Sequence, residues 1–309
     1  MRRILLWAAR NSWLQDRIPR LRFAQRAVRR FMPGEDLPAA LAVAEALAAR
    51  GIGAVFTRLG ENLSELGEAD AVAAHYHEVL DEAHARGLGA EISVKLTQLG
   101  LEIDREATYR HCLGLAEHAE RIGSYLWLDM EGSAHTDATL DLYQRLLADH
   151  RRVGICLQAY LRRTAADVNR LLPMKPSIRL VKGAYDEPAS IAFRSRAEVA
   201  ASFQSLSLLI AERVRDGGRE ADVRLVMATH DTALIERITG FGAAIGIPKA
   251  AFEIQMLYGI RPRELARLSG DGYPARTLIA YGPAWYPWYM RRLAERPANV
   301  LFALRQLLP

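Results

Sequence analysis

The sequence predicts a closed parallel (β/α)8 barrel of the TIM type, preceded by N-terminal helices. Three observations carry this expectation. About eight short apolar or β-branched runs each lead into a helical stretch, no low-complexity linker interrupts them, and composition does not break along the 309 residues. An open doubly wound sheet is the alternative, but it would normally show a glycine-rich phosphate loop after an early strand. Here Gly51-Ile52-Gly53 precedes its strand instead.

Taken in order, the first thirty residues hold nine arginines and a single acid, Asp16, with Trp7, Trp13, Leu14, Leu21 and Phe23 interspersed. Such a basic amphipathic segment suits an anionic membrane surface. A transit peptide has similar composition. The plainer alternative is a helix packed on the main domain with its arginines in water. After Pro33-Gly34, Asp36 is placed to cap a helix over 36–50, ended by Gly51. Strands are expected at 54–57, 91–96, 125–129, 153–158, 178–182, 224–229, 252–256 and 277–280. Helices are expected over 69–86, 105–122, 136–150, 196–215 and 231–241, with Thr164 as the N-cap of another. The last helix follows Gly282-Pro283 and carries Arg291-Arg292. The domain reading is a basic arm over 1–35 and a barrel over 36–309.

Composition narrows the function classes. A net charge of +5 with a pI near 9.3 is modest, and no recognised nucleic-acid motif accompanies it, which argues against a nucleic-acid partner. The two cysteines, Cys112 and Cys156, have no CxxC or metal-like spacing. That fits a reducing, cytoplasmic compartment and no bound metal. No apolar run reaches the length of a membrane span.

In a barrel, chemistry gathers where strands end. Lys95, Asp129, Gln158, Lys182, Thr229-His230, Gln255 and Tyr281 all fall near such ends. Each has a dull explanation, as a snorkelling lysine, a turn cap or a bonded core histidine. Together they describe a polar mouth with cations in excess, suited to an anionic ligand. Adjacent arginines on a helix point about 100° apart, so Arg291 and Arg292 are either a solvated face or a pair converging on one anion.

Ile178-Arg179-Leu180-Val181-Lys182-Gly183-Ala184-Tyr185 resembles a motif of the FAD-dependent proline dehydrogenases. Leu157-Gln158-Ala159-Tyr160, Ala228-Thr229-His230-Asp231, Glu253-Ile254-Gln255-Met256-Leu257-Tyr258-Gly259 and Arg291-Arg292-Leu293-Ala294-Glu295 resemble its other motifs, in the family's order. The likeness runs over about 51–299. It implies a barrel with the final helix over its mouth.

It further implies that Arg291 and Arg292 bind the carboxylate of L-proline, with Lys95 as a third cation and Tyr281, Tyr185 and Trp288 around the ring. Arg179 resembles the arginine set against the flavin, where a fixed cation stabilises the reduced cofactor. Asp129 resembles the family's active-site aspartate, expected to orient Lys95. Met130, Gln158, Lys182, Gly183, Ala184, Thr229, His230 and Gln255 fall at cofactor-contacting positions, and Gly183 offers a backbone without Cβ for close approach. Glu61 resembles a gating carboxylate that pairs with the first arginine. The implied reaction is oxidation of L-proline to Δ1-pyrroline-5-carboxylate, with hydride passing from C5 to flavin N5 and electrons going on to a membrane quinone. The arm would then dock on the inner face of the cytoplasmic membrane. A separate pyrroline-5-carboxylate (glutamate semialdehyde) dehydrogenase would take the product.

The match has departures. Trp288 stands where the family usually has a tyrosine, which leaves proline, hydroxyproline and N-substituted analogues open as substrates. Arg196, Ala200 and Phe203 replace a family lysine, aspartate and tyrosine, leaving Arg194 or Arg196 for the FAD pyrophosphate. The rival class is a flavin-free basic barrel that binds lipid or nucleic acid. A second rival is a barrel flavoprotein using a nicotinamide donor.

Overall fold

Eight parallel strands close on themselves in sequence order. They are β1 Gly53–Arg58, β2 Glu91–Lys95, β3 Leu126–Asp129, β4 Val153–Gln158, β5 Ser177–Val181, β6 Arg224–Ala228, β7 Glu253–Leu257 and β8 Ala275–Tyr281. The computed structural model describes residues 7–8, 11–21, 24–25, 28–60, 63, 65–216 and 223–295. Among them, α1 (Ser12–Arg17) and α2 (Leu37–Ala48) precede the barrel. The helices α3 Leu66–Ala85, α4 Arg105–Arg121, α5 Thr136–Asp149, α6 Thr164–Leu171, α7 Arg196–Asp216, α8 Thr232–Ala244, α9 Pro262–Gly270 and α10 Trp285–Glu295 follow the strands one by one. The sequence pattern had not placed α9.

Helix starts are largely local chemistry. Asp36 accepts a hydrogen bond from the Ala39 amide at 2.9 Å, and Asp231 accepts one from the Leu234 amide at 3.2 Å. Thr164 departs from expectation. It is the first helical residue rather than the cap, because its hydroxyl donates to the Gln158 carbonyl at 2.6 Å and ties α6 to the end of β4.

Side chains alternate across each strand, so the sheet has two faces. Outward residues such as Phe56, Ile92, Leu128, Ile178 and Ile254 join the apolar faces of the helices in the main core. The inward face is more polar than branched-aliphatic barrel packing would be. At its N-terminal end lies a quartet of two buried carboxylates and two partly buried arginines. Arg224 Nη1 meets Glu91 Oε1 at 2.8 Å, and its Nη2 donates to Glu253 Oε2 at 2.6 Å. Arg276 Nε reaches both carboxylates, at 3.2 and 3.3 Å. Trp127 Nε1 donates to Glu91 Oε2 at 2.7 Å, and the Arg224 guanidinium lies 5.1 Å from the Trp127 ring. Burial opposes the Arg224 charge, but the two carboxylates more than offset it, so its pKa is raised. With two charges of each sign and every carboxylate bonded, the quartet satisfies the usual condition for burying ions.

The described part of the N-terminal segment packs on the last helix. Ala24, Val28 and Met32 share a buried cluster with Leu59, Trp285, Tyr286, Trp288 and Tyr289, flanked by Leu14 and Ile18. Trp285 Nε1 donates to Glu35 Oε1 at 2.9 Å. Gly259 has φ +76°, and a Cβ there would overlap the Arg30 carbonyl, so glycine lets the segment lie against the turn after β7. Trp7 and Trp13 face outward, about 60% exposed (62% and 60%).

Candidate active site

At the C-terminal half of the barrel, Lys95 and Asp129 end adjacent strands and are register partners. The Asp129 carboxylate accepts from the Ser93 hydroxyl at 3.0 Å and forms a short ion pair with Arg179. Arg179 rises from the centre of β5, 2% exposed, and its Nη2 also donates to Ser93 Oγ at 2.5 Å. Its guanidinium lies 5.1 Å from the Trp127 ring. Arg179 is thus a cation that balances Asp129, with Lys95 beside it in register. By strand alternation Ser93 and Lys95 of β2, Asp129 of β3 and Arg179 of β5 all project inward. Burial works against the Arg179 charge, and Asp129 followed by Cys156 outweighs it, leaving the pKa raised.

Three buried polar atoms near this cluster have no hydrogen-bond partner among the described residues: Arg179 Nη1, Gln158 Oε1 and Gln255 Oε1. Buried polar groups are rarely left so, and several together mark a place built for a ligand. Gln158 donates from Nε2 to the Met130 and Glu131 carbonyls, each at 3.3 Å, so only its oxygen remains to be satisfied. Gln255 sits mid-strand rather than at its end, since β7 continues to Leu257. Its Nε2 donates to Glu253 Oε1 at 3.1 Å, which links the mouth to the quartet below.

The remaining expected cofactor positions line the loops after β3, β5 and β6. His230 Nε2 accepts from the Leu257 amide at 3.0 Å. A backbone N–H can only donate, so the ring is neutral with its hydrogen on Nδ1. Thr229 is buried, and its Oγ1 accepts from the Asp231 amide at 3.3 Å. Lys182 Nζ pairs with Asp231 Oδ2 at 2.6 Å, and that hydrogen bond is the main cause holding the Asp231 carboxyl below its ordinary pKa. The Met130 side chain faces the outer core, so only its backbone is turned to Gln158. Gly183 has φ +110°, and a Cβ there would overlap the Tyr160 ring. Tyr160 packing by itself requires glycine at this position. Ala184 and Tyr185 are exposed on the loop that Glu187 fastens to the β3 loop by accepting from Ser133 N and Oγ at 2.7 and 2.6 Å. Phe203 is wholly buried in the core, and Arg194 lies 3.9 Å from Asp186.

Two expected ring-wall residues lie elsewhere. Tyr281 projects to the outer face of β8, 1% exposed, edge-on to Phe56 and with its hydroxyl 2.7 Å from His75 Nε2 on α3. Trp288 is buried in the cluster between α10 and the N-terminal segment. The backbone of Arg291 and Arg292 belongs to α10, and their side chains lie outside the described residues, as does Glu61.

Sequence reasoning missed Ser93, Glu187 and His75. Ser93 was findable, because it lies two residues before Lys95 and so on the same face.

Known proteins give a concordant picture. A sequence profile described as proline dehydrogenase matches residues 40–305. Proline dehydrogenase 1 of Bacillus subtilis subsp. natto is 33% identical over 308 residues, covering 100% of this chain and 99% of that protein. Proline dehydrogenase of Deinococcus radiodurans is 33% identical over 287 residues, covering 90% and 89%. Among solved structures, proline utilization A from Bdellovibrio bacteriovorus, inactivated by N-propargylglycine, superposes with a TM-score of 0.81 at 20% identity. It covers 94% of this chain, which spans 38% of that longer protein, and the likeness is one of fold. With relatives this similar over their whole length and a closed barrel beneath them, the chain belongs to the proline dehydrogenase family.

Proposed function

We propose that the protein oxidises L-proline to Δ1-pyrroline-5-carboxylate with FAD as its resident cofactor and a membrane quinone as electron acceptor. One observation carries this: a buried, charge-balanced Arg179–Asp129–Ser93 cluster beside three orphaned polar atoms. The orphans are one donor and two acceptors. An isoalloxazine edge offers acceptors at N1, O2, N5 and O4 and a donor at N3, so the residues present fit that group. Arg179, Gln158 and Gln255 would hold the ring, and Lys182, with Gly183, Ala184, Thr229, His230 and the Met130 backbone, would line the rest of the cofactor. Arg194 or Arg196 would face the pyrophosphate.

FAD, when bound, supplies the two-electron acceptor. Proline gives up a hydride from C5 and a proton from its nitrogen, leaving a C5=N double bond. The chain's own part is orientation and field. Arg291, Arg292 and Lys95 would grip the carboxylate, with Glu61 closing over them. Asp129 fixes Arg179 so that its charge is in place before reaction. Tyr185 would bound the substrate side. Residues 1–35 would form a basic arm that docks on the anionic leaflet, with exposed Trp7 and Trp13 entering the interface. Residues 36–309 would form the catalytic domain. A separate pyrroline-5-carboxylate dehydrogenase would consume the product.

The purified protein is expected to be yellow, and anaerobic L-proline to bleach its flavin absorbance. A colourless preparation, or a flavin left oxidised by excess proline, would contradict the reading.

A further inference from the structure

We propose that His75 is a positioning residue for substrate capture: it holds the Tyr281 hydroxyl, and through it the turn from β8 into α10, and it loosens that joint on acidification. The inference rests on the reading that Arg291 and Arg292 of α10 take the substrate carboxylate.

Tyr281 is the last residue of β8, and α10 begins four residues later at Trp285. The Tyr281 carbonyl accepts from the Leu59 amide at 2.7 Å, which binds this turn to the end of β1. Gly282 follows with φ +122°, and a Cβ there would come within 3.1 Å of the Leu59 carbonyl. The turn is thus tight, and the 1%-exposed Tyr281 side chain is its inner anchor. Among the described residues, that anchor's polar partner from a distant element is His75 Nε2 at 2.7 Å.

Donor and acceptor rules fix the direction of the bond. His75 Nδ1 lies 3.3 Å from Glu78 Oε2, and an ionised carboxylate can only accept. Nδ1 therefore carries the hydrogen, and neutral Nε2 accepts from the Tyr281 O–H. Burial raises the Tyr281 pKa, so the phenol keeps its proton. Protonating His75 makes Nε2 a donor as well. The phenolic hydrogen must then turn away into a buried site, and an unsatisfied buried donor is costly. The groups that set His75 are Glu78 and Tyr76 on α3, Arg58 on β1 and Tyr281 on β8. Burial first and Arg58 second lower its pKa below the ordinary 6.5, against the pull of Glu78. The neutral, holding form therefore prevails at neutral pH.

The test uses the holoprotein and tetrahydrofuran-2-carboxylate, the oxygen analogue of proline, which has no amine to titrate. Its dissociation constant is read from the flavin spectrum between about pH 5 and 8 for wild type, His75→Gln and His75→Phe. Wild type should bind roughly tenfold more weakly at the acid end. Glutamine, whose carbonyl accepts at every pH, should keep the tight constant and remove the acid loss. Phenylalanine should bind weakly throughout, and the glutamine variant decides alone if phenylalanine does not fold. An acid loss that survives unchanged in His75→Gln overturns this inference by itself. Wild-type protein that neither binds the analogue nor is reduced by L-proline overturns the proposed function instead.

Discussion

Replacing Arg291 or Arg292 with alanine should raise the KM for L-proline by roughly tenfold to a hundredfold each, with a smaller fall in kcat. A hydrogen bond to a charged group is worth roughly 1.5–3 kcal/mol, and a carboxylate held through the whole reaction is mostly uniform binding. Lysine at either position should recover only part of the loss, because an ammonium cannot form the two-pronged contact of a guanidinium. Steady-state kinetics with a water-soluble dye acceptor would measure this. Unchanged KM in both alanine variants would remove the arginine pair from the site.

The second large effect concerns stability. Glu91→Ala should destabilise the fold by roughly 3–5 kcal/mol, because it leaves the partly buried Arg224 and Arg276 against Glu253 alone. The Trp127 indole would lose its acceptor as well, under the same ring that carries Arg179. Glu91→Gln should lie between, since it keeps the shape and one acceptor oxygen but loses the charge and the second acceptor. Thermal unfolding should fall by roughly 5–8 °C for the alanine variant. A cost within about 0.5 kcal/mol, usual for surface substitutions, would show that the quartet is not a structural keystone.

These two predictions draw on different kinds of legibility. The barrel was readable because apolar runs and helical stretches alternate along the chain, and local caps such as Asp36 and Asp231 mark where helices begin. Lys95, Asp129 and Gln158 were readable as polar residues of the barrel mouth because they close strands. The quartet was not. Glu91, Arg224 and Glu253 open their strands, and charged residues there look like ordinary solvent contacts until barrel closure brings them together.

Tyr281 shows the opposite error. Counting by twos from inward-facing Leu278 places Ala280 inside and Tyr281 outside, so the pleat already contradicted a ring-wall role that came from resemblance. Its partner His75 lies 206 residues away in sequence, and no local pattern announces such a contact. At Gly183 the sequence could not show that Tyr160 fills the space a Cβ would need.

The central claim is that a proline-shaped carboxylate sits on the two adjacent arginines of α10, above a flavin held in the barrel mouth. A crystal structure of the yellow protein with tetrahydrofuran-2-carboxylate tests it most directly. The account predicts both guanidinium groups within about 3 Å of the carboxylate, and flavin polar atoms bonded to Arg179 Nη1 and Gln158 Oε1. Guanidinium groups pointing into solvent, or a flavin bound away from β4 and β5, would contradict it.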